Sequence, residues 1–162
     1  MTTPLSLDSG AVAFFTADHR VCDELWAVVE EAAATGDKTA VQAAFKVFDA
    51  DMRRHLDMEE QVLFPAIEDA IGGPPAEGPK GCPRPWGPTH MMRMEHNQMR
   101  GLLSQMALTV SDSATLLEQG DTLLMLTQQH NMKEEGIVYP MAGRLHAQWP
   151  ELAHKLAPYL AA

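Results

Sequence analysis

Apolar residues along this chain recur in steps of three and four, with no strictly alternating Val, Ile or Thr run, and that rhythm predicts an all-α protein. Four seams can be followed without a slip. The first is Val12, Phe15, His19, Cys22, Trp26, Val29, Ala33, and the second is Val41, Phe45, Phe48, Met52, His55, Glu59, Val62, Ala66. The third is Met92, His96, Met99, Leu103, Met106, Val110, and the fourth is Leu116, Gly120, Leu123, Thr127, His130, Glu134, Ile137, Met141. Four such seams predict an up-down-up-down antiparallel four-helix bundle around a shared core.

The punctuation between seams agrees. From Gly72 to Pro88 the chain reads GGPPAEGPKGCPRPWGP, where eleven of seventeen residues are Gly or Pro, so no regular helix crosses it. This is the expected loop between the second and third helices. Thr35-Gly36-Asp37 and Ser111-Asp112-Ser113 are short turns, which makes the helices they join antiparallel hairpins. Pro150 to Leu160 is expected to add a short tail helix. A chain of 162 residues suits one domain, 1–162, with its core over about 12–145.

Histidine and glutamate interrupt the apolar seams, and a buried carboxylate is costly unless it is paired or bound to a metal. Six such residues fall there: His19, His55, Glu59, His96, His130 and Glu134. Hairpin geometry sets their heights. Residues equidistant from a turn lie side by side; the midpoint of His19 and His55 is residue 37, and that of His96 and His130 is residue 113, each inside its turn. Both pairs are therefore level, about 25 Å along the helix from the turn at 1.5 Å per residue. Glu59 and Glu134 follow a histidine by four residues, on the same face about 6 Å further along.

The order is duplicated. HLDMEEQVLFP begins at His55 and HNMKEEGIVYP at His130, and the six residues repeat with offsets of 77, 75 and 75. Two hairpins related by a pseudo-twofold axis would gather four imidazoles and two carboxylates around one centre. Such a set suits a pair of metal ions with both carboxylates bridging and about two histidines on each. Mixed imidazole and carboxylate ligands inside a helical bundle favour iron or manganese over structural zinc.

From about Val12 to about Leu145 the chain resembles the bacterial hemerythrin-like (HHE cation-binding) family, whose pattern is His, His-x-x-x-Glu, His, His-x-x-x-Glu. GPTHMMRMEHNQMRGLL is also similar to that family's third helix. The resemblance implies two iron ions in a non-haem, oxo- or hydroxo-bridged centre. His19, His55, His96 and His130 would be terminal ligands and Glu59 and Glu134 bridges. It further implies binding or sensing of a small ligand (oxygen, nitric oxide or peroxide) at an open iron position, with redox cycling. The alternatives are a di-iron enzyme consuming peroxide or nitric oxide, and iron storage or donation as in iron-sulfur repair proteins. One departure stands out. Oxygen-carrying hemerythrins have a second histidine four residues from the first on the third helix and an Asp on the fourth; here Met92 and Arg100 flank His96 at that distance.

Other residues carry lesser expectations. Glu60 and Glu135 sit about 100° from their neighbours, at the surface or as partners that orient an imidazole. Cys22, Met52, Met92, Met99 and Thr127 lie one turn from ligands, as packing or as pocket lining. Pro65 and Pro140, each six residues after a bridging Glu, predict kinks. His90, His146, His154 and Cys82 are expected away from the site. Twelve basic against 22 acidic residues give a formal charge of −10 with no basic run, which disfavours nucleic acid and anionic lipid as partners. No apolar stretch is long enough to span a membrane, and MTTPLSLDSG has neither the basic start nor the apolar core of a signal peptide. With only two cysteines, the expectation is a soluble, cytoplasmic protein.

Overall fold

Helix α1 (Ala11–Thr35) stops because Gly36 enters the left-handed region at φ 74, where a Cβ would be strained. Asp37 then caps α2 (Lys38–Met58), its Oδ1 accepting from the Thr39 and Ala40 amides at 2.9 and 3.1 Å. Asp112 does the same 75 residues later for α5 (Ser113–Lys133), accepting from the Ala114 and Thr115 amides. The two expected turns are thus capped alike. These elements come from a computed structural model that describes residues 5–71 and 87–161. Cys82 and residues 72–86 of the Gly/Pro-rich stretch lie outside the described residues. Among the described residues there is no strand, and no helix is long and apolar enough to cross a membrane.

Beyond Met58 the second helix does not end. It passes through a π turn, Glu59–Leu63, closed by the Phe64 amide on the Glu59 carbonyl, and resumes as α3 (Phe64–Ala70). After α4 (Pro88–Thr109), α5 repeats the pattern: a π turn, Glu134–Val138, closed by the Tyr139 amide on the Glu134 carbonyl, then α6 (Tyr139–Ala142). Pro65 and Pro140 each lie in the first turn of the resumed helix, just after a π turn, where a missing N–H is tolerated.

Each π turn adds a residue to the turn and so rotates everything after it by about 100°. That corrects the ends of two seams. Ile137 is 53% exposed and Met141 only half-buried, whereas Val138, Tyr139 and Ala142 are buried; likewise Leu63, Phe64 and Ile67 are buried and Ala66 only half so. Val12 is also exposed, because Ala11, Phe14 and Phe15 form the inner face of the first turn.

The helices α1 and α2 pack together, as do α4 and α5. The core falls into two apolar clusters. One, towards the short turns, includes Trp26, Val29, Val41, Phe45, Leu103 and Leu116. The other, around the π turns, includes Phe14, Phe15, Phe64, Ile67, Tyr139 and Leu156. Along each long helix, the six polar seam residues lie between the two clusters. The expected tail helix is α7 (Trp149–Leu160); it buries Leu152 and Leu156 in the second cluster, and the Trp149 indole N–H donates to the Leu7 carbonyl at 2.7 Å.

Candidate metal centre

All six expected residues are buried and brought together. The rings of His19 and His55 are 4.8 Å apart and those of His96 and His130 are 4.7 Å apart, so both pairs are level, as the midpoints require. Two groupings of ligand atoms could each hold a cation, one of His19, His55, Glu59 and Glu134, the other of His96, His130, Glu59 and Glu134. Both glutamates are common to both. Within each grouping the ligand atoms lie within 4.8 Å of one another.

Every imidazole is held from behind by a carboxylate. Nδ1 of His55 is 2.9 Å from Asp18, and Nδ1 of His130 is 2.8 Å from Glu95. Nδ1 of His96 is 2.8 Å from Glu60, and Nδ1 of His19 is 2.9 Å from Glu135. A carboxylate can only accept, so each Nδ1 carries the proton, and a neutral ring then turns an Nε2 lone pair towards the centre. The links run from α1 to α2, on to α4, on to α5, and back to α1, a closed ring around the bundle.

Asp18, Glu95 and Tyr139 were not singled out from the sequence. The first two had a signal: Asp18-His19 and Glu95-His96 repeat at the 77-residue offset. Each points about 100° from its own neighbour's direction, towards the histidine of the adjacent helix. Tyr139 had a counterpart too, Phe64, 75 residues earlier. Tyr139 stacks on His19 at 5.4 Å and Phe64 on His96 at 5.5 Å, but only the tyrosine brings a hydroxyl, which donates to Glu59 Oε1 at 2.7 Å.

The electrostatics are those of a site short of positive charge. Burial alone would lower the histidine pKa values, yet Glu134, Glu59 and Glu135 raise His19 to about 9, and Glu134, Glu59 and Glu60 raise His96 to about 11. Burial opposes ionisation of Glu134 as well, but His130, His19 and His96 hold it well below the usual range. Glu60, opposed by burial, is lowered to about 2 by His96 and Arg100. Burial and the nearby Glu59 and Glu134 push the Tyr139 phenol well up, so it stays a donor.

Even so, three inward atoms have no hydrogen-bond partner: His55 Nε2, Glu59 Oε2 and Glu134 Oε1. His130 Nε2 comes within 2.9 Å of that last oxygen but is not aligned with it as a hydrogen bond. Buried polar atoms left unpaired cost about 1–3 kcal/mol each. Three of them facing one point, among nitrogen and oxygen donors only, fit cations better than they fit a dry core.

The remaining expectations sort as follows. Met52, Met99, Thr127 and Cys22 line a small crevice beside the centre, whereas Met92 belongs to the apolar cluster at the π-turn end. The Cys22 thiol donates to Asp51 at 3.6 Å, and burial, then the nearby Asp18 and Asp51, push its pKa well up. It is a packed thiol, not a nucleophile. His146 and His154 are exposed, and His90 is half-buried. None of the three is in either ligand grouping.

A helical bundle that buries imidazoles around shared carboxylates is the architecture of a cation-binding protein. Comparison with family models matches residues 10–142 to the hemerythrin HHE cation-binding domain, and the chain belongs to that family. No curated protein and no solved structure matches it.

Proposed function

We propose that this chain is a single-domain, soluble, cytoplasmic protein with an up-down-up-down bundle that holds two iron ions in a non-haem centre. In this reading it binds or senses a small diatomic or peroxide ligand there, with redox cycling. His19 and His55 would serve one ion, His96 and His130 the other, and Glu59 and Glu134 would bridge. The observation that carries this reading is that both candidate groupings contain both glutamates. Two separate sites would each need their own carboxylates.

Bound iron would supply the redox change and the Lewis acidity that a small ligand needs. The chain supplies the rest. Asp18, Glu60, Glu95 and Glu135 fix the ring tautomers, the two apolar clusters keep bulk water out, and the Tyr139 hydroxyl holds a proton against Glu59. The test is metal analysis of purified protein together with the optical spectrum of the reduced form before and after oxygen. Two irons per chain and a reversible ligand-dependent band are expected. No metal, or zinc in place of iron, overturns the reading.

A second reading, iron storage or donation, is favoured by the third helix, which carries Met92 and Arg100, and no further histidine, four residues to either side of His96. Iron passing to a weak chelator, without a stable oxygenated spectrum, would support it.

A further inference from the structure

The duplication repeats the surroundings of the ligands as well as the ligands, and at one seam it reverses their charge. Between α2 and α4, the Glu60–His96 link is clamped. Arg100 donates to Glu60 Oε1 and to Asp57, each at 2.7 Å, and Arg93 donates to the Glu60 carbonyl at 3.1 Å. The equivalent link between α5 and α1 is Glu135–His19. Carrying the clamp across by the same 77- and 75-residue offsets puts Asp23 where Arg100 stands, Thr16 where Arg93 stands and Met132 where Asp57 stands. An anion replaces the cation. Accordingly Glu135 has a side chain 43% exposed, against 17% for Glu60.

The other two orienting carboxylates are also held by cations. Arg54 reaches Asp18 at 2.7 Å, and Lys133 pairs with Glu95. Among the described residues, Glu135 alone of the four lacks one. Its neighbour Asp23 is pushed up, first by burial and also by the charge of Glu135, while His19 pulls the other way.

A second, independent feature opens at the same seam. A crevice of about 10 Å³, room for one water-sized species, is lined by His19, His55, His130, Cys22, Asp23 and Asn131. Its lining includes both the buried histidines and exposed Asp23. Among its lining residues is His55, which is only 2% exposed and whose Nε2 has no hydrogen-bond partner.

We propose that the α1–α5 seam is the port through which a divalent cation enters and leaves the centre, so that the position served by His19 and His55 is the exchangeable one. Asp23, in the lining of the crevice, and Glu135, on the same seam and close enough for its charge to act on Asp23, are two acidic groups that raise the local cation concentration. Glu135 can swing into solvent and release the His19 ring, whereas Glu60 is held on His96 by Arg100. The position served by His96 and His130 is the retained one. This inference rests on the two-ion reading above.

The test loads the protein with ferrous iron without oxygen and follows release to excess ferrous chelator. Two phases of one equivalent each are expected, with anomalous scattering from half-emptied crystals lying beside His96 and His130. Asp23→Arg, which rebuilds the clamp on Glu135, should slow the fast phase about tenfold, and Arg100→Asp should speed the slow phase by a similar factor. If Asp23→Arg does not fold, Glu135→Gln carries the test, speeding the fast phase and leaving the slow one unchanged. Two equivalents leaving in one phase, variants that leave both rates unaltered, or a residual ion beside His19 overturn the port. Uptake of fewer than two equivalents at the outset overturns the two-ion reading itself, and the inference falls with it.

Discussion

Replacing Asp18 with asparagine changes one charge and almost no volume at a fully buried position. In the native chain Oδ2 accepts from His55 Nδ1 at 2.9 Å and Oδ1 accepts from Arg54 Nη2 at 2.7 Å. An amide has one oxygen to offer, and its nitrogen only donates. Since a guanidinium cannot accept, the oxygen must face Arg54 and the amide nitrogen must face His55. A neutral His55 ring then has to accept at Nδ1 and carry its proton on Nε2, the atom aimed at the centre. Loss of such a partner typically weakens metal binding by about 10–100-fold, or about 1.4–2.8 kcal/mol. Competition against a chelator should therefore show one equivalent weakened by that factor. The other should be unchanged, because His96 and His130 keep Glu60 and Glu95. Nitrogen-detected NMR of the metal-free variant, at a pH where the ring is neutral, should find the His55 proton moved from Nδ1 to Nε2. Wild-type affinity for both equivalents, with the tautomer unmoved, would refute the reasoning.

Glu59→Ala should cost half the bound metal or more, read by elemental analysis; full retention would show that the shared carboxylate is misassigned. At Gly120 an added Cβ would fall 2.0 Å from Trp26 Cζ2, against a ring only 3% exposed. Gly120→Ala should therefore destabilise the fold by about 1–3 kcal/mol through overpacking, and an unchanged thermal midpoint would contradict that close approach. The pH dependence should have opposite signs with and without metal. In the metal-free protein, burial disfavours charge on His19 and His96 but the glutamates prevail, giving about 9 and about 11. Both values lie above the usual histidine value of about 6.5, so their stabilisation is full below it and is lost as pH rises through about 9 and then about 11. Metal must displace those protons, so its affinity climbs over the same range. Thermal midpoints of the metal-free and loaded protein should diverge between about pH 6.5 and 9; a constant gap would count against this account.

How far the sequence alone reached follows from how locally each feature is encoded. The turns were legible because Gly36, Asp37 and Asp112 act within a few residues of themselves. The six central residues were legible because each sits on its own helix's apolar seam, where a charged side chain is conspicuous. Asp18 and Glu95 were not, because they serve a histidine on a neighbouring helix and, on their own, sit just off the seam. Ile137 was misplaced and Tyr139 overlooked for one shared reason. A π turn leaves no mark in apolar spacing until its phase shift is known, and that shift is what carries Ile137 outward and Tyr139 inward.

The ring of four carboxylate–imidazole links has an implication for symmetry. Two identical hairpins meeting as a dimer could close the same ring, but their two inter-hairpin joints would be copies, and any residue that locked one would lock the other. Covalent fusion removes that constraint. With both hairpins in one chain, Arg100 stands at one joint and Asp23 at its twin, and a centre built from two halves that share a ligand pattern can be firm on one side and yielding on the other.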